Sequence, residues 1–408
     1  MHIGIVGPID TATIADLIGD GASGLPQGYS GAPLLGTLIR ELLKRGHRVS
    51  AFTLSRDMPL VARQTVVATR GNFSIEYCPM RPRAWSRNGA QRGRILDFYR
   101  FERLGLEQAM RRVAPDVIHA HWAYEFALAA IATEHPHVIT CHDSPIKVAR
   151  MNSFSKPTIS GYRWLRVFMA RDVLRRARCV TAVSPYMRNA VQRVTSVPIA
   201  VVPNPVENLA VTCYRARTAP VAPRLAMVCN GWGVGKNAKP ALRAFALLKE
   251  QNPAAELHLY GHGFGAGEAG EHWCRSRKIQ SGMSFHGPVP HHQLLQAFTE
   301  LDLLVHPSLE ESFGMVIAEA MAIGLPVVGG QSSGAVPWVL QGAGALCDVR
   351  DAGAIFAAIQ SLLVPANFER ASKLGHAYGR DRFGASKVTD DYLAVYARAV
   401  TERSTRQC

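Results

Sequence analysis

Two carboxylates with seven residues between them, Glu311 and Glu319, stand in the stretch best suited to chemistry, His306-Pro-Ser-Leu-Glu-Glu-Ser-Phe-Gly-Met-Val-Ile-Ala-Glu-Ala-Met-Ala-Ile-Gly-Leu-Pro-Val-Val-Gly329. Its pattern predicts a buried strand at Leu303–His306, a turn, and a helix with Ser312 as N-cap that ends near Gly324. A new strand then starts at Pro326. The amides of Phe313, Gly314 and Met315 would be unpaired donors at the positive end of the helix dipole, which suits a diphosphate. Gly314 lets the backbone approach such a ligand closely. Helical side chains lean toward the N-terminus, so Glu319 can accept hydrogen bonds from hydroxyls of a ligand whose phosphates rest on the first turn. Glu311, in the loop, can hold hydroxyls on the other side. An idle carboxylate within Met315-Val-Ile-Ala-Glu-Ala-Met-Ala would be costly to bury.

Elements that could position this segment alternate between strand and helix. His2–Ile9, Arg48–Leu54, Val117–His121, Val138–His142 and Cys179–Ser184 read as strands, with helical periodicity between them. Leu34, Leu35, Leu38, Ile39, Leu42 and Leu43 mark one such helix, and Gly46 can cap it. Pro203, Pro205, Pro220 and Pro223 bracket a linker. A second series follows: Leu225–Cys229, a helix through Ala241–Leu248, Leu257–Tyr260, Met283–His286, Leu303–His306 and Pro326–Val328. Alternation of this kind implies α/β architecture with two doubly wound, Rossmann-like parallel sheets, whose ligands bind beyond the carboxyl ends of the strands. The expected domains are 1–205 and 206–384. A final helix, about 385–408, carries Val388, Tyr392, Tyr396 and Val400 on one face and is expected to pack back on the first domain.

The 408 residues are 48% hydrophobic and 19% charged, an ordinary globular composition. No apolar run reaches the ~20 residues of a bilayer span, and the start lacks a basic, then apolar, signal-peptide pattern. Eight scattered cysteines without a CxxC pair argue for reduced thiols and against a zinc site. The net charge of +15 is uneven: residues 1–200 hold 27 Lys and Arg against 14 Asp and Glu, and the rest is nearly balanced. A one-sided basic field attracts an anionic surface or polymer. Arg81, Arg83, Arg87, Arg92, Arg94, Arg100 and Arg103, interleaved with Trp85, Phe98, Tyr99 and Phe101, are the expected patch for an anionic membrane surface. No nucleic-acid motif accompanies them.

The Glu311–Glu319 block resembles the retaining GT-B glycosyltransferases, specifically the large fourth family with its E-x7-E motif. Further pieces in the family's order extend the resemblance over nearly the whole chain: Gly46-His-Arg-Val49, Thr140-Cys-His-Asp143, Val202-Pro-Asn-Pro205, Lys236-Asn237 with Ala244-Phe-Ala246, and Tyr260-Gly-His-Gly263. The resemblance implies a GT-B fold, its two domains facing a central cleft. It implies that Glu311 contacts the donor sugar and Glu319 the ribose, while the amides at Phe313–Met315 meet sugar and diphosphate. Lys236 corresponds to the lysine that stabilises the departing phosphate, and His142 to a histidine that orients the reacting sugar. Gly263 would lie near the nucleotide base, and Gly31, in a Gly-rich loop, near the donor phosphate or the acceptor. The family's usual Arg before the lysine is missing: Asn230-Gly-Trp-Gly-Val-Gly-Lys236 puts Trp232 near that place, so that Asn230 or Trp232 could offer only a neutral hydrogen bond.

The expected function is therefore a metal-independent retaining transfer of a sugar, from a UDP- or GDP-linked donor, to an acceptor hydroxyl. No cofactor is expected. The acceptor would be a glycan or a lipid-linked molecule in surface polysaccharide or glycolipid assembly. The expected location is cytoplasmic, or peripheral on the inner face of the cell membrane. Two other readings stay open, a GT-B nucleotide-sugar epimerase and a binding protein that has lost turnover.

Overall fold

A computed structural model of the chain describes residues 1–60, 64–82, 93–151 and 157–407. Short runs of Ile, Val, Leu and Ala become strands buried on both faces, as parallel sheets covered by helices require. One sheet contains β1 (His2–Val6), β2 (Arg48–Ser55), β3 (Val66–Arg70), β4 (Phe73–Pro79), β5 (Val117–His121), β6 (His137–Cys141), β7 (Val180–Ala182) and β8 (Ile199–Val201). Its order is β3-β4-β2-β1-β5-β6-β7-β8. All neighbours are parallel except β3, which runs antiparallel to β4. The second sheet holds β9 (Arg224–Val228), β10 (Glu256–Tyr260), β11 (Met283–Gly287), β12 (Leu303–His306), β13 (Val327–Gly330) and β14 (Gly344–Cys347). It is all parallel, in the order β11-β10-β9-β12-β13-β14. The chain divides into two compact units: Met1–Pro205 with Val388–Cys408, and Val206–Lys387.

In the first unit, the helix Pro33–Lys44 buries Leu34, Leu35, Leu38, Ile39 and Leu42 in one cluster with Ile3 and Ile5 of β1 and Val49 and Ala51 of β2. The final helix, Ala385–Gln407, adds Val388, Tyr392 and Tyr396 to that cluster. Its polar ends are matched too: the Tyr396 hydroxyl lies 2.7 Å from His119 Nδ1, and Arg45 pairs with Asp390. In the second unit, the helix Ala238–Gln251 packs Ala241, Leu242, Phe245 and Leu248 against Leu225 and Met227 of β9 and Leu257 and Leu259 of β10.

The structure departs from the sequence reading in particular places. The first strand stops at Val6, not Ile9, because Ile9 belongs to a loop whose carbonyl accepts from the Tyr29 amide at 2.9 Å. The β3–β4 hairpin had no clear signal, since β3 is a mostly exposed edge with little alternation to read. The linker is not featureless: it contains a short helix, Asn208–Thr212, and the Val206 amide bonds the Phe383 carbonyl at 2.7 Å. In the described part of the Arg/aromatic segment Arg100 is exposed, while two of the arginines are not free surface charges. Arg83, Trp85, Arg87 and Arg92 lie outside the described residues. Arg81 is neutralised by Asp97 at 2.8 Å and Glu102 at 2.7 Å. Arg94 is only 1% exposed.

Candidate active site

The second sheet reverses its order between β9 and β12: β10 and β11 lie on one side of β9, and β12 to β14 on the other. Loops leaving the carboxyl ends at such a reversal diverge and leave a crevice for a ligand. Here they are the segments after β9, residues 229–237, and after β12, residues 307–314. Main chain laces them together, with the Leu309 amide on the Gly235 carbonyl at 2.9 Å. Asn237, in the left-handed region at φ +51°, donates from Nδ2 to the carbonyls of Pro307 (3.1 Å) and Val349 (2.8 Å).

This lacing brings the Lys236 ammonium to 3.0 Å from Glu311 Oε1. His306, the last residue of β12, puts Nε2 at 3.2 Å from the same oxygen. Burial alone would raise the Glu311 pKa. The His306 hydrogen bond and the nearby charges outweigh it and hold the group down to about 2. Glu311 is thus a fixed anion at neutral pH. Oε2 has no protein partner among the described residues, so one face of the carboxylate can still accept bonds.

The helix after this loop is Met315–Ile323, with Gly314 as its N-cap at φ +93°. This corrects the expectation that Ser312 caps it. Only a residue that tolerates the left-handed region lets the chain turn so sharply into the helix, and glycine does so without penalty. The carbonyl of Gly314 accepts from Ile317 (3.0 Å) and Ala318 (3.2 Å). The amides of Phe313, Gly314 and Met315 have no acceptor among the described residues, which is the donor set an anion needs. The Phe313 ring is buried edge-on against Phe383, centroids 5.2 Å apart, so this residue offers a ligand its main chain.

Glu319 is 4% exposed and receives His291 Nε2 on Oε1 at 2.9 Å. The other nitrogen of His291 stands 3.9 Å from Glu207. Burial works against a charged His291, but the bond to Glu319 and the two carboxylates prevail, and its pKa lies above the usual 6.5. Neither His291 nor His306 was assigned a role from sequence. For His306 a signal existed: a polar residue closing an otherwise apolar strand at a sheet reversal. His291 had none, since only the fold sets the start of its helix, His291–Glu300, beside Glu319.

Other expected contacts look different in the structure. Gly261, at φ +101°, passes so close to Cys229 that a Cβ would lie 2.2 Å from its carbonyl oxygen. The Gly263 and Gly265 amides already donate to Glu268 Oε2, at 2.8 and 2.6 Å. Gly263 therefore has no free N–H for a base, and its carbonyl already accepts from the Gly270 amide at 2.8 Å. Asn230 is exposed just beyond β9. Trp232 packs against Phe264 (5.5 Å) and Trp273 (5.9 Å), with the Lys239 ammonium 5.8 Å over its ring. With Gly233, Val234 and Lys239 it lines a cavity of about 220 Å³. It serves packing, and Lys236 is the cation beside Glu311.

His142 and Gly31 belong to the other unit. His142 follows β6 directly, stacks on Trp122 at 4.1 Å, and shares a 2.9 Å hydrogen bond with His121. Burial pulls its pKa down to about 3 against the opposing bond to Asn204. It is a neutral imidazole that can hydrogen-bond but carries no charge. Gly31 is exposed, at φ +127°, two residues before the Pro33–Lys44 helix.

Residues 34–208 match the model of Glycosyltransferase Family 4, and residues 233–376 match that of Glycosyl transferases group 1. The chain belongs to the GT-B glycosyltransferases of the group 1 type. This glycosyltransferase is 26% identical over 325 residues to a glycogen synthase of Mycobacterium tuberculosis, covering 76% of the chain and 73% of that protein. A D-inositol 3-phosphate glycosyltransferase of Mycolicibacterium smegmatis is 35% identical over 131 residues, 31% of the chain and 29% of that relative. Among solved structures, the fold resembles sucrose-phosphate synthase from Thermosynechococcus elongatus, with a TM-score of 0.73 at 17% identity over 98% of this chain and all (100%) of that one. It also resembles the Anabaena protein HepE solved with UDP and glucose, with a TM-score of 0.63 at 17% identity over 98% and 100% of the two chains. At these identities the structural likeness concerns the fold.

Proposed function

We propose that this glycosyltransferase moves a sugar from a nucleotide diphosphate donor to an acceptor hydroxyl with retention of configuration and without a metal. The observation that carries the reading is the Lys236–Glu311 pair at the sheet reversal, beside a helix whose first amides, Phe313–Met315, have no acceptor among the described residues. A leaving diphosphate develops negative charge. The ammonium of Lys236 and the positive helix end meet it, which lowers the barrier where charge develops. Those two features do the neutralising work a metal would otherwise do.

Glu319 accepts the ribose hydroxyls and Glu311 the donor sugar through its remaining oxygen. The bond from the anomeric carbon to the β-phosphate oxygen breaks, and a bond to the acceptor oxygen forms on the same face. The acceptor proton passes to the departing diphosphate, so no protein base is needed. His142, in the other unit, is neutral and can offer a hydrogen bond but no proton. A UDP-linked donor is favoured by the UDP-bound structural relative, with GDP as the other candidate. The glycogen synthase relative favours a glycan acceptor, and the basic charge of residues 1–200 favours a lipid-linked one. Among the described residues no single helix is long and apolar enough to cross a membrane. We place the reaction in the cytoplasm, at the inner face of the cell membrane.

The test is a panel of nucleotide sugars read as nucleoside diphosphate release, with and without chelator, followed by NMR of the anomeric proton in the product. Release unaffected by chelator, with the donor's configuration kept, is expected. An inverted product, or loss of turnover on chelation, would overturn the corresponding part of the reading.

A further inference from the structure

The Pro157–Arg176 helix of the first unit carries two large aromatic side chains in solvent, Trp164 at 42% and Phe168 at 60% exposure. Four-residue spacing puts them one above the other on a single face. Arg171 and Arg175 continue the same stripe at offsets of seven and eleven, and both are exposed. Neither has a carboxylate within salt-bridge distance among the described residues, whereas the neighbouring Arg176 is paired with Asp172 at 3.3 Å. Two large rings about half exposed side by side form an apolar patch of the kind that marks a contact surface.

Beside this stripe lies a cavity of about 240 Å³, and it is apolar in its floor: Ile146, Val167, Leu174 and Val191 line it. Its basic lining comes from Arg171, Arg175 and, from beyond the Pro185–Val191 helix, Arg193. Apolar floor and basic rim together match a group that is both anionic and hydrocarbon-bearing. The charge of the first 200 residues points the same way.

We infer that the Trp164–Arg175 stripe docks on an anionic phospholipid surface, with the adjoining cavity receiving a phosphate headgroup and the start of its acyl chains. It is a different surface from the 81–103 segment, in which Arg81 is neutralised and Arg94 buried. It deepens the glycolipid reading above, on which its purpose rests but not its geometry. Aromatic rings settle at the headgroup level while guanidiniums meet lipid phosphate. No spanning segment is needed.

Full-length protein is sedimented with vesicles of phosphatidylcholine alone or mixed with phosphatidylglycerol. Binding is expected only to the mixed vesicles, and is lost near 1 M salt, where charges are screened within about 3 Å. Each arginine removed should weaken partitioning on the order of fivefold, so Arg171→Ser with Arg175→Ser loses roughly 25-fold. Trp164→Ser with Phe168→Ser, at unchanged charge, should lose about tenfold or more. Arg370→Ser with Lys373→Ser removes two exposed charges from the other unit and should change binding little. Wild-type binding by the aromatic variant, or an equal loss in the Arg370/Lys373 control, overturns the proposal in favour of diffuse attraction. The same variants are assayed for nucleoside diphosphate release, which they should keep. A wild-type protein that binds vesicles but releases no diphosphate would count against the transferase reading alone.

Discussion

Replacing Glu311 by Gln keeps the shape of the side chain and removes its charge. Glu311 titrates near 2 in the fold against an ordinary 4.5. That difference is equivalent to roughly 3 kcal/mol of preference for the ionised form. Its partner Lys236 has a side chain 36% exposed, so solvent screening reduces the contribution to about 1–2 kcal/mol. The folded value is depressed, so this stability is fully present above pH 4.5 and is lost as pH falls through about 2. Glu311→Gln should therefore be about 1–2 kcal/mol less stable in urea unfolding at pH 7, and by pH 3 its gap to the wild type should have shrunk by about half. Other carboxylates titrate equally in both proteins and cancel from the comparison. A gap that stays constant from pH 7 to pH 3, or none at all, would refute the charge cluster around Lys236.

Further outcomes follow from the same unit. On the proposed ribose role, Glu319→Ala removes two charge-assisted bonds at roughly 1.5–3 kcal/mol each, so calorimetry should show donor affinity at least tenfold lower in a folded protein. The raised pKa of His291 means that its charged bond to Glu319 is complete below pH 6.5 and lost as pH rises through the higher folded value. Donor affinity of the wild type should fall across that range, and His291→Gln should flatten the profile; an equally steep profile in the variant would remove His291 from the site. Gly314→Ala forces a Cβ into the left-handed region at φ +93° and to 3.1 Å from Ile317 Cδ1. It should cost about 1–2 kcal/mol in urea unfolding and weaken diphosphate binding; wild-type stability would mean the turn tolerates a side chain.

The glycosyltransferase block was legible because its carboxylates, glycines and strand ends are local, with few residues between them. Strands buried on both faces announced themselves as apolar runs, and the last helix through Val388, Tyr392 and Tyr396. What pairs with each carboxylate was not legible. His306 and Lys236 both precede Glu311 in sequence, one by 5 and the other by 75 residues, and only the β9–β12 reversal brings Lys236 to it. His291 reaches Glu319 from another helix. The Ser312 expectation failed because a good capping type three residues before a helix lost to a glycine that could make the turn. Arg81 shows a related limit: composition counts its charge and cannot see that Glu102 and Asp97 fold back on it.

The central claim is that Lys236 meets the charge of a departing diphosphate. Wild type and Lys236→Ala are compared with the donor found in the nucleotide-sugar panel, measuring donor Kd and kcat for diphosphate release side by side. The account predicts on the order of a 100-fold fall in kcat with donor binding changed far less. Release by Lys236→Ala at the wild-type rate would contradict it.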